Sequence, residues 1–349
     1  MLFVGECMLN EFWIEVLKVV AAAAAILVFV LLTVLIMILA LRRVLGAVQS
    51  RIGPNRVGPQ GSLQTVADAL KLLQKEDIIP CGADRFLFTL APAIVFIPAY
   101  LVYVVMPFGE GMSARDLNIG IVYVSAITSI ATIGIILGGW ASNNKWSLLG
   151  AFRAAAQLVA YEVPMVISLC IPVMLANTLS LQGIVEVQGG GFWHWLIFTG
   201  WGLPVGAALI YLTAGLAEIN HTPFDIMEAE SELVAGFNVE YSGMKFALFF
   251  LEEFAASFTI AAIGVTLFLG GWHAPFTFLE GGAPGTLSFK LVSLFWFLFK
   301  TWLGVFVLFW IRSTFPRVRV DQLMNLGWKV LIPSGLVLLL LTGLVVAVS

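Results

Sequence analysis

Residues 16–40 read VLKVVAAAAAILVFVLLTVLIMILA, a run interrupted by one charge, Lys18. A helix needs about 20 apolar residues to cross the hydrocarbon core of a bilayer. This run is long enough, and its apolar residues lack the alternation of a membrane β-strand. Helices are the other way to satisfy backbone N–H and C=O groups in lipid. Similar runs lie near 86–107, 117–140, 157–177, 197–219, 246–270, 289–311 and 328–348. The sequence therefore predicts an all-α membrane protein of about eight transmembrane helices, a single polytopic membrane domain over residues 1–349.

Composition agrees. Of 349 residues, 60% are hydrophobic and 11% charged, with mean hydropathy +0.99; a soluble domain has about 25% charged residues. The net charge of -3 gives no ground for a nucleic-acid partner. Cys7, Cys81 and Cys170 form no CxxC pair and read as core or interface thiols. His194, His221 and His273 are too scattered for a haem or metal cage, so no metal site is expected. The N-terminus lacks a basic segment and a small-residue cleavage site, so no signal peptide is expected.

The loops between the runs alternate in charge. One set carries Arg42, Arg43, Arg51, Arg56, Lys71, Lys75, Lys145, Arg153, Lys245, Arg312, Arg317, Arg319 and Lys329; the other carries little beyond Arg115. Lys and Arg mark the cytoplasmic side. Both termini are therefore expected on the periplasmic side, with ordered cytoplasmic loops at 42–85 and 218–245.

The first of these loops begins RIGPNRVGPQGS (51–62), where two Gly-Pro pairs predict a stiff turn. A helix is expected over SLQTVADALKLLQKED (62–77), with Val66, Leu70 and Leu73 on one face, Asp68, Lys71 and Lys75 on another, and Pro80 beyond its end. Such a helix suits the lipid interface. A rigid loop of mixed charge also suits docking, because an ordered surface loses less entropy on binding.

The second loop reads HTPFDIMEAESELVAGFNVEY (221–241) and carries Asp225, Glu228, Glu230, Glu232 and Glu240 without a Lys or Arg. Thr222 and Pro223 predict a helix start, which would place Asp225, Glu228 and Glu232 on one face, with Glu230 pointing away. A charge run is usually a solvated face. Here neighbouring spans carry Glu162, Glu218, Glu252, Glu253 and Lys300, and ionisable groups at membrane depth are expensive and default to functional candidates. Glu162 also stands two residues before Pro164, where freed backbone groups can bind water or a side chain. These residues have the composition of a proton or ion pathway.

Four stretches then carry a resemblance: RIGPNRVGPQG, GWASNNKWSLLGAFRAAAQLVAYEV, AEINHTPFDIMEAESELVAGFNVEYSGMKFALFF and WIRSTFPRVRVDQL. Together they resemble the membrane subunit of respiratory complex I that sits beneath the peripheral arm, the family of NADH-quinone oxidoreductase subunit 1 in mitochondria and the H subunit in bacteria. The resemblance runs from about Arg42 to Lys329. It implies no cofactor bound by this chain alone, quinone as substrate, and FMN and iron–sulfur clusters in partner subunits. It implies peripheral-arm partners, including the one with the terminal iron–sulfur cluster, and other membrane-arm subunits. The setting it implies is the bacterial cytoplasmic (inner) membrane rather than the mitochondrial one. By motif, Arg42, Arg51 and Asp68 match residues of the quinone path. Glu162, Glu218, Asp225, Glu228, Glu230, Glu232 and Glu240 match the acids of a proton relay, and Arg153, Lys300, Arg312 and Arg317 match basic partners for them.

Two positions depart from the family pattern. Leu41 stands where an acid is usual, and His221 where the family has Arg. The resemblance leaves room for the equivalent subunit of a related ferredoxin-, F420- or hydrogenase-type membrane complex. Buried acids and interrupted helices also suit an independent secondary transporter, although the sequence contains no internal repeat.

Overall fold

The computed structural model describes residues 2–227, 230–279, 281–282 and 285–348, with the backbone alone for 2–12 and 230–231. The helices are α1 (Leu2–Val48), α2 (Gln64–Gln74), α3 (Arg85–Val102), α4 (Gly120–Ala141), α5 (Lys145–Ala176), α6 (Leu181–Val187), α7 (Leu203–Glu218), α8 (Glu230–Leu233), α9 (Gly243–Phe268), α10 (Leu287–Thr314), α11 (Val320–Asn325) and α12 (Ile332–Val348). A π-turn, Leu326–Leu331, joins α11 to α12 as one continuous helix. Among the described residues no strand occurs. Among the described residues, eight helical units are long and apolar enough to cross a membrane: α1, α3, α4, α5, α7 with the turn before it (Gly200–Glu218), α9, α10 and the α11–α12 unit. Segments 49–84, 142–144, 219–227, 232–242 and 315–319 lie between alternate pairs of these helices and are called here the loop face.

Several spans begin or end away from the hydropathy runs, and side-chain caps mark the start of two of them, α3 and α5. Asp84 accepts hydrogen bonds from the Phe86 and Leu87 amides at 3.0 and 3.2 Å, and Asn144 accepts one from Trp146 N–H at 3.0 Å. Such caps satisfy orphan N–H groups of a first turn. Capped there, α5 starts at Lys145, well before the apolar run at 157, and carries Arg153 within it. The first helix continues to Val48, so Arg42 and Arg43 belong to its last turns and not to the loop expected from 42. The run expected from 197 breaks into 3-10 turns across Phe192–Gly202, and α7 starts at Leu203 with Pro204 in its first turn. In the first loop, α2 stops at Gln74, short of the expected 77.

The loop-face segments are tied to one another. Asp77 pairs with Lys245 at 2.9 Å. Ser242 Oγ accepts from Ile78 N–H at 3.3 Å and donates to Glu76 O at 3.3 Å. Asn143 donates to Gly82 O at 3.0 Å, and Asn144 to Glu240 Oε1 at 2.6 Å. Val318 N–H donates to Pro223 O at 2.9 Å. The stiff turn predicted in the first loop closes on Gly61 (φ 75°), where a Cβ would lie 2.1 Å from Pro54 O. A Cβ on Gly150 would meet the Gly236 backbone at 2.8 Å, so α5 packs directly on the second loop.

At the centre of the bundle α9 buries Phe254 and Phe258. Tyr103 and Tyr211 donate to its carbonyls at Ala255 (3.0 Å) and Ile260 (2.8 Å).

The helix expected from Pro223 does not form. Residues 219–227 are turns, and their backbone groups find tertiary partners. Gln157 Nε2 reaches Ala217 O at 2.7 Å, Phe224 O at 2.9 Å and Asn220 Oδ1 at 3.1 Å. These bonds, with Val318 on Pro223 O, satisfy the segment without the i→i−4 ladder. Asp225 lies in these turns and Glu232 in the separate short helix α8, so the two share no helical face; the Glu228 of the proposed face lies outside the described residues.

Candidate functional site

Two crevices meet inside the bundle. The larger is a narrow cleft with a cavity volume of about 60 Å³, between α3, α4, α5, α7 and α9. Its polar lining is Ser125, Thr128, Ser129 and Thr132 of α4, Glu162 of α5, Glu218 of α7, Asn220, and Glu252 and Thr259 of α9. Ser125, Thr128, Ser129 and Thr132 follow i, i+3, i+4, i+7 spacing, which puts them on one helix face. Ser129 donates to Glu162 Oε1. Glu218 Oε2 is buried with no hydrogen-bond partner among the described residues. The second crevice, about 30 Å³, is lined by Asp225, Asn238, Glu252, Glu253 and Arg312, among others. Ile135, Asn220 and Glu252 line both crevices.

Asn220 occupies the join because Gln157 holds it from α5, at the left-handed residue (φ 54°) that ends α7. Beside it His221 is fully buried. Its Nε2 lies 3.3 Å from Glu253 Oε1 and 3.4 Å from Ser257 Oγ. Arg312 donates to the same Glu253 oxygen at 2.8 Å. Burial and the Arg312 cation hold the imidazole below its ordinary range, although Glu253 and Asp225 pull the other way.

Three of the basic residues singled out in the sequence meet acids in this region. Arg317 pairs with Asp225 at 2.9 Å, Arg153 with Glu232 at 2.5 Å, and Arg312 with Glu253 at 2.8 Å. Asp225 reaches a crevice; Glu232 faces outward with Arg153. Glu240 bonds to Asn144 and lines neither crevice. Glu228 and the Glu230 side chain lie outside the described residues. Lys300 corrects the expectation that it serves the acids. It donates to Leu269 O at 2.7 Å and His273 O at 2.9 Å, over the Trp195 ring at 4.6 Å. The carbonyls at the C-terminal end of α9 carry partial negative charge, which attracts a cation as a carboxylate does.

Away from the crevices, Arg42 of α1 pairs with Asp68 of α2 at 2.5 Å, and Gln64 also donates to Asp68 at 3.1 Å. Arg51 is exposed and bonds to Gln49 at 2.6 Å. The motif set thus divides into an α1–α2 pair, a loop arginine and the acids of the crevices.

Sequence reasoning carried over the acids but not the neutral groups that join them: Gln157, Asn220 and the α4 hydroxyls. For the hydroxyls a signal was present, four Ser and Thr residues at helical spacing within an apolar run. Asn220 and Gln157 gave none, because their role arises from a contact between residues 63 positions apart.

Comparison with known proteins gives a consistent result. The chain is 45% identical over 341 residues to the H subunit of NADH-quinone oxidoreductase from Dehalococcoides mccartyi, covering 98% of this chain and 90% of that protein. It is 49% identical to the protein of the same name from Geobacillus kaustophilus, with 96% of each covered. For that of Chlorobaculum tepidum the identity is 48%, over 94% of this chain and 92% of the relative. The family model described as NADH dehydrogenase matches residues 21–343, nearly the whole bundle, and the chain belongs to this family.

Proposed function

We propose that this chain is the H subunit of a NADH-quinone oxidoreductase, and that its joined crevices pass the effect of quinone reduction to proton translocation. The observation carrying this reading is that Asn220 and Glu252 line both crevices. Through them Asp225 and Glu253 on one side are connected to Glu218 and Glu162 on the other. A charge placed on one acid of such a path changes the field at the others. Narrow walls and α4 hydroxyls keep bulk water from screening those charges.

In this reading the loop face is cytoplasmic, as its Lys and Arg suggest, and both termini are periplasmic. The interlocked loops form the platform for the peripheral arm, whose subunits hold FMN and the iron–sulfur clusters. Quinone approaches along α1 and α2, where Arg42 and Asp68 supply polar groups. Exposed Val66, Leu70 and Leu73 supply an apolar path for an isoprenoid tail. The membrane is the bacterial cytoplasmic one.

The test is Glu162→Gln and Glu218→Gln in the assembled complex, with electron transfer to an artificial acceptor upstream of quinone as control. Loss of quinone reduction together with pumping, at an intact artificial-acceptor rate, supports the reading. Native quinone reduction and pumping in both variants would overturn it.

A further inference from the structure

Where α5 and α11 begin at the loop face, two further cavities share a wall. One, about 220 Å³, is mostly apolar and lies among Leu149, Phe152 and Ala156 of α5 and Val320, Leu323 and Met324 of α11. The other, about 380 Å³, sets Arg153, Arg317 and Arg319 against Glu232 and Asp321. Arg153, Ile226 and Val320 line both, so the two form one groove, apolar at one end and cationic at the other. Glu162, Glu218, Glu252 and Glu253 line neither part. Leu323 is fixed to α5 by the Tyr161 hydroxyl at 3.0 Å, so the walls are preformed.

The apolar end runs into the lipid-facing surface. Leu149, Phe152, Ala156, Val159, Val163 and Val166 are exposed and recur at alternate spacings of three and four, which makes one stripe along α5. A stripe of this kind on a membrane span meets acyl chains, which are as apolar as Leu. Trp146 is exposed in the first turn of the same helix, and indoles collect at headgroup depth. Arg317 and Arg319 immediately precede α11, and Arg153 reaches their cavity from α5.

Each of these arginines gives one nitrogen to a carboxylate: Arg153 to Glu232 at 2.5 Å, Arg317 to Asp225 at 2.9 Å and Arg319 to Asp321 at 3.4 Å. A guanidinium carries five N–H donors in a planar fork, so N–H groups remain for a second anion. Among the described lining residues three cations face two carboxylates, an excess of one positive charge. A phosphodiester carries a single negative charge and matches the guanidinium fork.

We propose that this groove binds an anionic phospholipid, with its phosphate among Arg153, Arg317 and Arg319 and an acyl chain along the α5 stripe. The assignment goes beyond the relay reading and does not depend on it. A protein segment also offers acids and apolar side chains, but the unbroken passage of the apolar end into the surface of a span fits a chain that lies in the bilayer. Basic pockets between transmembrane helices hold anionic headgroups in this way.

The experiment uses the purified complex, stripped of loosely held lipid in mild detergent. It is incubated with dioleoylphosphatidylglycerol or dioleoylphosphatidylcholine, each photoreactive in one acyl chain, and the labelled peptides are mapped. Phosphatidylglycerol should label 145–157 or 320–325 at least ~5-fold more than phosphatidylcholine does. Arg319→Gln should lower that labelling about fivefold, the factor that one arginine beside an anionic headgroup contributes. Phe152→Gln, at the apolar end, should lower it as well, and serves alone where Arg319→Gln does not assemble. Inorganic phosphate should not displace the lipid. Equal labelling by both lipids, or native labelling in the variants, marks a general lipid contact and overturns the assignment. Displacement by inorganic phosphate marks a free-anion site and also overturns it. So does a cross-link to another subunit from a photoreactive residue in place of Leu149, which would show a protein in the groove.

Discussion

Arg312 of α10 and Glu253 of α9 meet at 2.8 Å, with side chains only 24% and 18% exposed. Glu252, the residue before Glu253, lines both crevices, whereas Glu253 lines only the smaller one. Adjacent helical residues point about 100° apart, so two consecutive acids have different surroundings. Glu253 has a dedicated cation in Arg312, and Glu252 faces both crevices.

Removing that cation should therefore damage structure before chemistry. Arg312→Ala leaves Glu253 buried beside a neutral His221, and breaking a buried pair costs about 3–5 kcal/mol. The expected result is a lower thermal midpoint and poor assembly. The double variant Arg312→Ala/Glu253→Gln should recover part of the loss, since it removes the uncompensated charge; melting of the detergent-solubilised complex checks both.

For Glu252→Gln the expectation is the reverse. Assembly should persist while quinone reduction falls, because the change leaves shape and hydrogen bonding but removes an exchangeable proton. Ser129→Ala removes the donor to Glu162. A hydrogen bond to a charged group contributes about 1.5–3 kcal/mol, so turnover should fall roughly tenfold or more if that bond positions the carboxylate. Steady-state quinone reductase assays on assembled complex decide both cases.

Lys300→Met should act on stability alone. It takes the ammonium donor from Leu269 O and His273 O, at about 1–3 kcal/mol. Less complex should be recovered, with an unchanged ratio of quinone to artificial-acceptor activity in what remains. A selective loss of quinone reduction would return Lys300 to the relay.

Arg51 and Arg56 are exposed on the loop face. Replacing both by Glu should leave the bundle folded and loosen the peripheral arm, most at low salt and less as salt is raised, because exposed charges are screened beyond about 10 Å at 0.1 M. The fraction of membrane subunits that sediment with the arm measures this.

Acidification should also lower stability. The His221 imidazole is held below its unfolded value of 6.5, so below that pH the unfolded chain binds more protons than the folded one. The contribution of neutral His221 is complete above about pH 6.5 and is lost as the pH falls toward the depressed folded value. The thermal midpoint should drop over this range in the native protein and drop less in His221→Gln.

The spans were legible because lipid imposes one rule, a long apolar helix, and eight runs obey it. Their ends were less so. Lys145–Gln157 is helical although Lys145, Arg153 and Gln157 interrupt its hydropathy, since Asn144 caps it and hydropathy does not measure helix propensity. The turns at 219–227 resemble a helix in sequence because Thr222 and Pro223 supply a local start signal that Gln157 and Val318 override from elsewhere in the chain. The charge partners of Asp225 and Glu232 lie 92 and 79 residues away. Their residue types could be named in advance, but not their pairing.

The π-turn at Leu326–Leu331 sets the phase of the last span. On one side of it Leu323 O accepts the Tyr161 hydroxyl at 3.0 Å; on the other, Gly335 packs so closely on α5 that a Cβ would meet Ile167 at 3.0 Å. A π-turn holds one residue more than an α-turn. Closing that turn as an α-turn with the residue retained would rotate everything beyond it by about 100°, carrying Gly335 off Ile167 while Leu323 stayed on Tyr161; deleting one residue as well would restore the phase. The wide turn is an angular correction that lets two contacts with α5, one of them beside Glu162, be made by the same helix.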